Sequence, residues 1–182
     1  MKSLIVSLSL AERALAAAFA VSAALLIGAH LFERVGGLVP CILCLDQREA
    51  HWTALGVAAA GLIASRVFKS RIGATATLGA AALVYAVSTG LAFYHTGVEW
   101  KFWPGPAICA GGGPVDVGSI VEALDQKTDA PACDDVQWRF LGLSMAGYNL
   151  VISAGLFALV SIVALFETRD VKKLRAANAR TA

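Results

Sequence analysis

Charge is scarce in this chain, and the scarcity comes in blocks. Only 15% of the 182 residues are Asp, Glu, Lys or Arg, while 58% are hydrophobic and the mean hydropathy is +0.69. None of the four charged types occurs in Ala14–Phe32, Ala50–Ser65, Ile72–Val98 or Phe140–Phe166. A soluble domain of this length would leave too much of that apolar surface facing water, so lipid is the expected solvent. Haem-attachment pairs, glycine-rich nucleotide loops and iron–sulfur cysteine spacings are absent as well, which removes the common motif-encoded electron carriers. With a net charge of only +2, no nucleic-acid partner is expected.

A helix needs about 20 apolar residues to cross a bilayer, and three of the uncharged runs reach or nearly reach that length. The second run is shorter, so its helix is expected to take in the turn that begins near Cys44 and includes Asp46, Arg48 and Glu49. Strands fit these runs poorly. They are rich in Ala and Leu without strict alternation, and backbone groups in lipid must be satisfied within the segment. The fold expected is all-α: a four-helix transmembrane bundle forming a single integral membrane domain, 1–182. Its spans are placed near 14–32, 47–66, 73–94 and 143–166, joined on one side by loops 33–46 and 95–142. The first apolar run is long for a signal peptide, so an uncleaved anchor is expected.

Four spans put both termini and the short loop Arg66–Arg71 on one side. That side collects ten of the fifteen Lys and Arg residues, which marks it as cytoplasmic. All four cysteines, Cys41, Cys44, Cys109 and Cys133, then face the opposite, oxidising compartment, where an even number of thiols reads first as disulfides. The long outer loop opens with Trp100, Phe102 and Trp103, aromatics suited to the headgroup level, and continues through Pro104-Gly105-Pro106 and Gly111-Gly112-Gly113-Pro114, which cannot continue a helix. Within Asp116–Lys127, Val117, Ile120, Val121 and Leu124 fall at helical spacing, so a short amphipathic helix lying on the membrane is expected there.

Cys41-Ile42-Leu43-Cys44 has the spacing of a redox-active pair, in which one thiolate attacks and its neighbour resolves. A helix starting here would stabilise a thiolate through its exposed N–H groups, and Arg48 stands one turn after Cys44. A four-thiolate zinc site fits less well, because Cys109 and Cys133 are too far apart to form a second knuckle. An inert brace also fits less well, because so small a ring constrains little chain. Cys109 and Cys133 can close a loop of their own, as a brace or as the second half of a relay. The electrons of such a relay must leave through a carrier, and in a membrane a lipid-soluble quinone reached beside Cys44, with Arg48 polarising its oxygen, is the expected one.

The chain resembles the bacterial disulfide bond formation protein B family (DsbB). The resemblance rests on Pro40-Cys41-x-x-Cys44 with Arg48, Tyr94-His95-Thr96, the aromatic and Pro-Gly-Pro approach to Cys109, and Trp138-Arg139-Phe140-Leu141-Gly142-Leu143 after Cys133. It implies a multi-pass protein of the bacterial inner membrane with cytoplasmic termini and periplasmic cysteines. By position, Cys109 would bond the reduced thioredoxin-like partner (DsbA type), with Cys133 as its disulfide mate. Cys133 would then bond Cys41 transiently, and Cys44 would pass electrons to ubiquinone or menaquinone. Arg48 and His95 match the family's residues at the quinone; Glu49 stands where a neighbour without charge is more usual. His30 and His51 are given no role. Rival readings are a paralogue serving one dedicated oxidase and a membrane scaffold whose disulfides only brace its loops.

Overall fold

Small polar residues mark where each helix begins. In this computed structural model, which describes residues 9–106, 109 and 131–181, Ser9 caps α1 (Leu10–Arg34) in a reciprocal box with Glu12. Cys41 caps α2 (Ile42–Arg66), its sulfur accepting from the Cys44 N–H at 3.3 Å. Ser70 caps α3 (Arg71–Glu99) by accepting from the Gly73 N–H at 3.0 Å. Before α4 (Met145–Thr181), the Ser144 hydroxyl does the same for Gly147 at 3.0 Å.

The architecture is helical, as expected. Apolar length supports three of the four expected spans: α1, α3 and the Met145–Lys173 part of α4 are each long and apolar enough to cross a membrane. α2 carries Asp46, Arg48 and Glu49 in its first turns and is not among them. The short helix expected over 116–127 lies outside the described residues.

The helices meet through small side chains. Ala14, Ala18, Ala54, Ala58, Ala74 and Ala81 are buried around Leu15, Leu78, Tyr85 and Val160. Small residues let helix backbones approach where lipid tails offer no hydrophobic drive to associate. Gly61 marks a close approach of α2 to α3 and α1, since a Cβ there would stand 2.3 Å from Thr77 Oγ1 and 2.7 Å from Leu15 Cδ1. Larger residues such as Ile27, Leu83, Phe93 and Ile162 point outward, an apolar skin suited to lipid.

Charges cluster at the two ends of the bundle. At one end Glu12 pairs with Arg66 and accepts from Ser65 Oγ at 2.9 Å, while Arg71 reaches Glu167 at 3.1 Å and Asp170 at 3.7 Å. At the other end a small antiparallel hairpin, β1 (Arg139–Phe140) and β2 (Leu143–Ser144), precedes α4. Its two-residue turn, Leu141-Gly142, has φ of +48° and +83°, the mirror-image geometry that matches strand twist. Strands of two residues are too short to show any periodicity, which is why the sequence did not announce them.

Candidate functional site

The four cysteines come together at the hairpin end of the bundle. Cys109 and Cys133 are joined by a disulfide with Cα atoms 5.3 Å apart, while Cys41 and Cys44 are unbonded with their sulfurs 2.7 Å apart. Cys41, Cys109 and Cys133 are buried in one cluster with Leu43 and Val98, against which Cys44, Tyr94 and Trp103 pack. Trp103 folds back onto α3: its indole N–H donates to the Tyr94 carbonyl at 2.9 Å and its ring stacks on Tyr94. Gly97 makes room for that ring, since a Cβ there would fall 2.0 Å from it. Lys101 pairs with Asp134, and the Gln137 amide donates to the Val39 carbonyl at 2.8 Å, so the segment after Cys133 is tied to both neighbouring loops.

The two thiols of the Cys-x-x-Cys pair are unequal. The hydrogen bond from Cys41 to the Cys44 sulfur holds the Cys44 thiol below its usual value, helped by the charge of Arg48 and opposed by burial and by Glu99. The same hydrogen bond, with burial, pushes the Cys41 thiol far up. Of the two, Cys44 is therefore the first to ionise, and Cys41 keeps its proton. Glu49, which the sequence brought into question, is exposed; the opposing carboxylate at Cys44 is Glu99 instead. Alkylation follows the thiolate, so in the reduced protein Cys44 is expected to react with iodoacetamide at lower pH than a free cysteine, with Cys41 lagging to higher pH. Peptide mass spectrometry across a pH series reads both; a shared midpoint would contradict the asymmetry.

A cavity of about 420 Å³ opens beside Cys44 between α1, α2 and α4. Its walls are mainly apolar, from Leu25, Phe32, Trp138 and Ile152 among others, and its polar lining includes Cys44, Gln47, Arg48, His51, His95 and Asn149. Arg48 spans from α2 to α1, pairing with Glu33 and donating to the Ala29 carbonyl at 3.2 Å. His95 is buried with its Nε2 3.1 Å from the Cys133 carbonyl and 3.7 Å from Cys41 Sγ.

The structure thus brings together all six residues singled out from the sequence: Cys41, Cys44, Cys109, Cys133, Arg48 and His95. The Cys109–Cys133 bond rules out the four-thiolate metal site considered from the sequence. The ligand atoms of Cys41, Cys44 and His95 do lie within 4.8 Å of one another. Sequence reasoning missed Glu33, Glu99, Gln47, Asn149 and His51. A signal existed for two of them: Cys44, Gln47, Arg48 and His51 follow the i, i+3, i+4, i+7 spacing of one helix face.

Comparison with known proteins identifies the family. The family model for "Disulfide bond formation protein DsbB" matches residues 11–163. Proteins named disulfide bond formation protein B are similar along most of their length. The one from Marinobacter nauticus is 32% identical over 81% of this chain and 86% of its own, and the one from Methylococcus capsulatus 33% over 77% and 85%. That from Pasteurella multocida is 30% identical over 79% and 78%. On this match, over a helical scaffold with three membrane-compatible helices and its cysteines gathered at one end, the chain belongs to the DsbB family of membrane disulfide bond formation proteins.

Proposed function

We propose that the protein reoxidises a periplasmic thioredoxin-like dithiol oxidase of the DsbA type and passes the electrons to a membrane quinone, ubiquinone or menaquinone. In this reading α2 is the fourth span, the termini are cytoplasmic and the cysteine end faces the periplasm of a bacterial inner membrane. The observation that carries the proposal is the cavity that meets the Cys44 thiolate and Arg48 at one flank. A flat ring with two carbonyls and an apolar tail suits those walls; Arg48 and Cys44 are the groups that would hold its head, with the His95 ring lining the cavity beside it. Such a group supplies an acceptor for two electrons and two protons.

The chain's own residues do the rest. An incoming thiolate attacks Cys109 Sγ, the Cys109–Cys133 bond breaks, and Cys133 takes the electron pair. Cys133 attacks Cys41 of the oxidised Cys41–Cys44 pair, and Cys44 leaves as a thiolate beside Arg48. The partner's second thiol then resolves its bond to Cys109, and Cys109 retakes Cys133 from Cys41. That sequence leaves Cys109–Cys133 bonded and the Cys41–Cys44 pair open.

The test is anaerobic. Protein purified with its lipids is given a reduced thioredoxin-fold dithiol protein and a short-chain quinone, and quinone absorbance is followed. One quinone reduced per dithiol oxidised is expected. A folded preparation that exchanges disulfides but leaves the quinone oxidised would remove the cavity as electron outlet.

A further inference from the structure

A continuous run of polar side chains, all buried except the half-buried Asn149, crosses all four helices. Tyr85 Oη and Ser22 Oγ are 2.8 Å apart, Ser22 Oγ and His51 Nδ1 3.0 Å, and His51 Nε2 and Asn149 Oδ1 2.8 Å. Asn149 Nδ2 meets Gln47 Oε1 at 2.6 Å, and Gln47 Nε2 meets His95 Nδ1 at 2.7 Å. The run ends where His95 Nε2 faces the Cys133 carbonyl and Cys41 Sγ.

The direction of each link from His95 back to Ser22 follows from groups that have only one role. The Leu43 carbonyl can only accept, and it lies 3.1 Å from Gln47 Nε2, so the amide nitrogen of Gln47 faces that way and its second N–H points at His95 Nδ1. His95 Nδ1 is therefore an acceptor. The Cys133 carbonyl also can only accept, so the ring proton of His95 is on Nε2, the same answer reached from the opposite edge. Glu99 Oε1, 3.9 Å from Nε2, is a further acceptor on that edge. With its oxygen committed to Asn149, Gln47 makes Asn149 the donor; Asn149 Oδ1 then takes the His51 Nε2–H, as well as the Ser153 hydroxyl at 3.1 Å. His51 Nδ1 is left to accept from Ser22, so the Ser22 oxygen in turn accepts from the Tyr85 hydroxyl, whose single proton also faces the Ala18 carbonyl at 3.0 Å.

We propose that His95 is a neutral, Nε2-protonated donor that positions the Cys133 backbone against Cys41 for disulfide exchange, its tautomer held by Gln47 and, through Asn149, by His51. The proposal rests on the exchange reading above. In the exchange the Cys133 thiolate forms a bond to Cys41 Sγ while the Cys41–Cys44 bond breaks and the pair of electrons goes to Cys44. One N–H shared between the Cys133 carbonyl and the Cys41 sulfur keeps the two reacting residues on a common anchor. His95 is a positioning residue in this step: it transfers no proton. His51, which the sequence left without a role, is the far end of the support.

Two measurements test this on the full-length protein in lipid nanodiscs. With 15N-labelled histidine and single variants to assign His30, His51 and His95, the unprotonated ring nitrogen of His95 at neutral pH is expected to be Nδ1. A proton on Nδ1 overturns the proposal. The second measurement compares His95→Gln with His95→Leu, because a glutamine amide N–H reaches the place of Nε2–H but cannot act as an acid or base at neutral pH. Protein oxidised at both pairs and freed of quinone is given a reduced thioredoxin-fold dithiol, and the Cys41–Cys133 peptide is followed by mass spectrometry. His95→Leu is expected to slow its formation on the order of a hundredfold, the scale of a lost orienting contact, while His95→Gln stays near wild type. Equal loss in both variants would show that proton transfer at His95 is needed, and sinks the positioning role. Neither measurement uses quinone, so a protein that passes both yet leaves quinone oxidised refutes the electron outlet alone.

Discussion

Cys44→Ser is expected to abolish quinone reduction by dithiol, a loss on the order of a thousandfold or more, while Cys109 still forms a mixed disulfide with the dithiol partner. The reason is the asymmetry of the pair. Cys41 gives its hydrogen bond to Cys44, which holds the thiolate beside Arg48 and the cavity. A serine hydroxyl stays protonated at neutral pH and cannot close a bond to Cys41, so the second pair can neither store nor release two electrons. Serine keeps the size of the side chain, and the cap of α2 lies on Cys41, so the thermal unfolding of the variant is expected to match wild type. Quinone absorbance and non-reducing gels of the partner complex read the two halves separately. Appreciable quinone turnover by the variant would mean that electrons leave by another route.

The second large effect is expected at Arg48. Arg48→Ala should raise the quinone concentration needed for half-maximal rate by at least about tenfold, and shift the alkylation midpoint of Cys44 toward higher pH. The sign follows from charge: the cation lowers the Cys44 thiol, and its removal lets burial and Glu99 push the thiol back up. Arg48→Lys should recover the alkylation profile better than the quinone response. A lysine restores the charge but not the planar fork that reaches Glu33 and the Ala29 carbonyl together. Glu33→Gln keeps the guanidinium and loosens its anchor, so its effect should be the smaller of the two. If Arg48→Ala leaves both quinone dependence and Cys44 reactivity unchanged, Arg48 serves only to join α1 to α2.

The cavity explains why these two residues act together. Cys44 and Arg48 are one helical turn apart on α2, so one face of a single helix delivers the reactive sulfur and the cation to the same space. Phe32 and Trp138, whose rings approach to 5.1 Å, join α1 to the segment before β1 along the wall of that space. The same segment is tied to the Val39 carbonyl through Gln137 and to Lys101 through Asp134. Cavity and disulfide are therefore parts of one packed end.

By itself the sequence determined the helical architecture, its apolar helices and the resemblance to the DsbB family, and it supplied the candidates for the reactive residues. Uncharged runs and helical spacing are local properties, and Cys41-Ile42-Leu43-Cys44 with Arg48 is a local motif that a helix start makes legible. Helix ends were less legible: α1 extends the span expected over 14–32 to Leu10–Arg34, and α3 continues through His95 to Glu99 because helices run on past the lipid-facing stretch. Only the tertiary structure decided which partners these residues meet. Gln47 and Asn149 are 102 positions apart, His95 and Cys133 are 38 apart, and Arg48 finds Glu33 across a turn between helices. Each meeting depends on the rotation and height of one helix against another. Those are set by close contacts of small residues such as Gly61 against Thr77 and Leu15, whose fit emerges only when the helices pack.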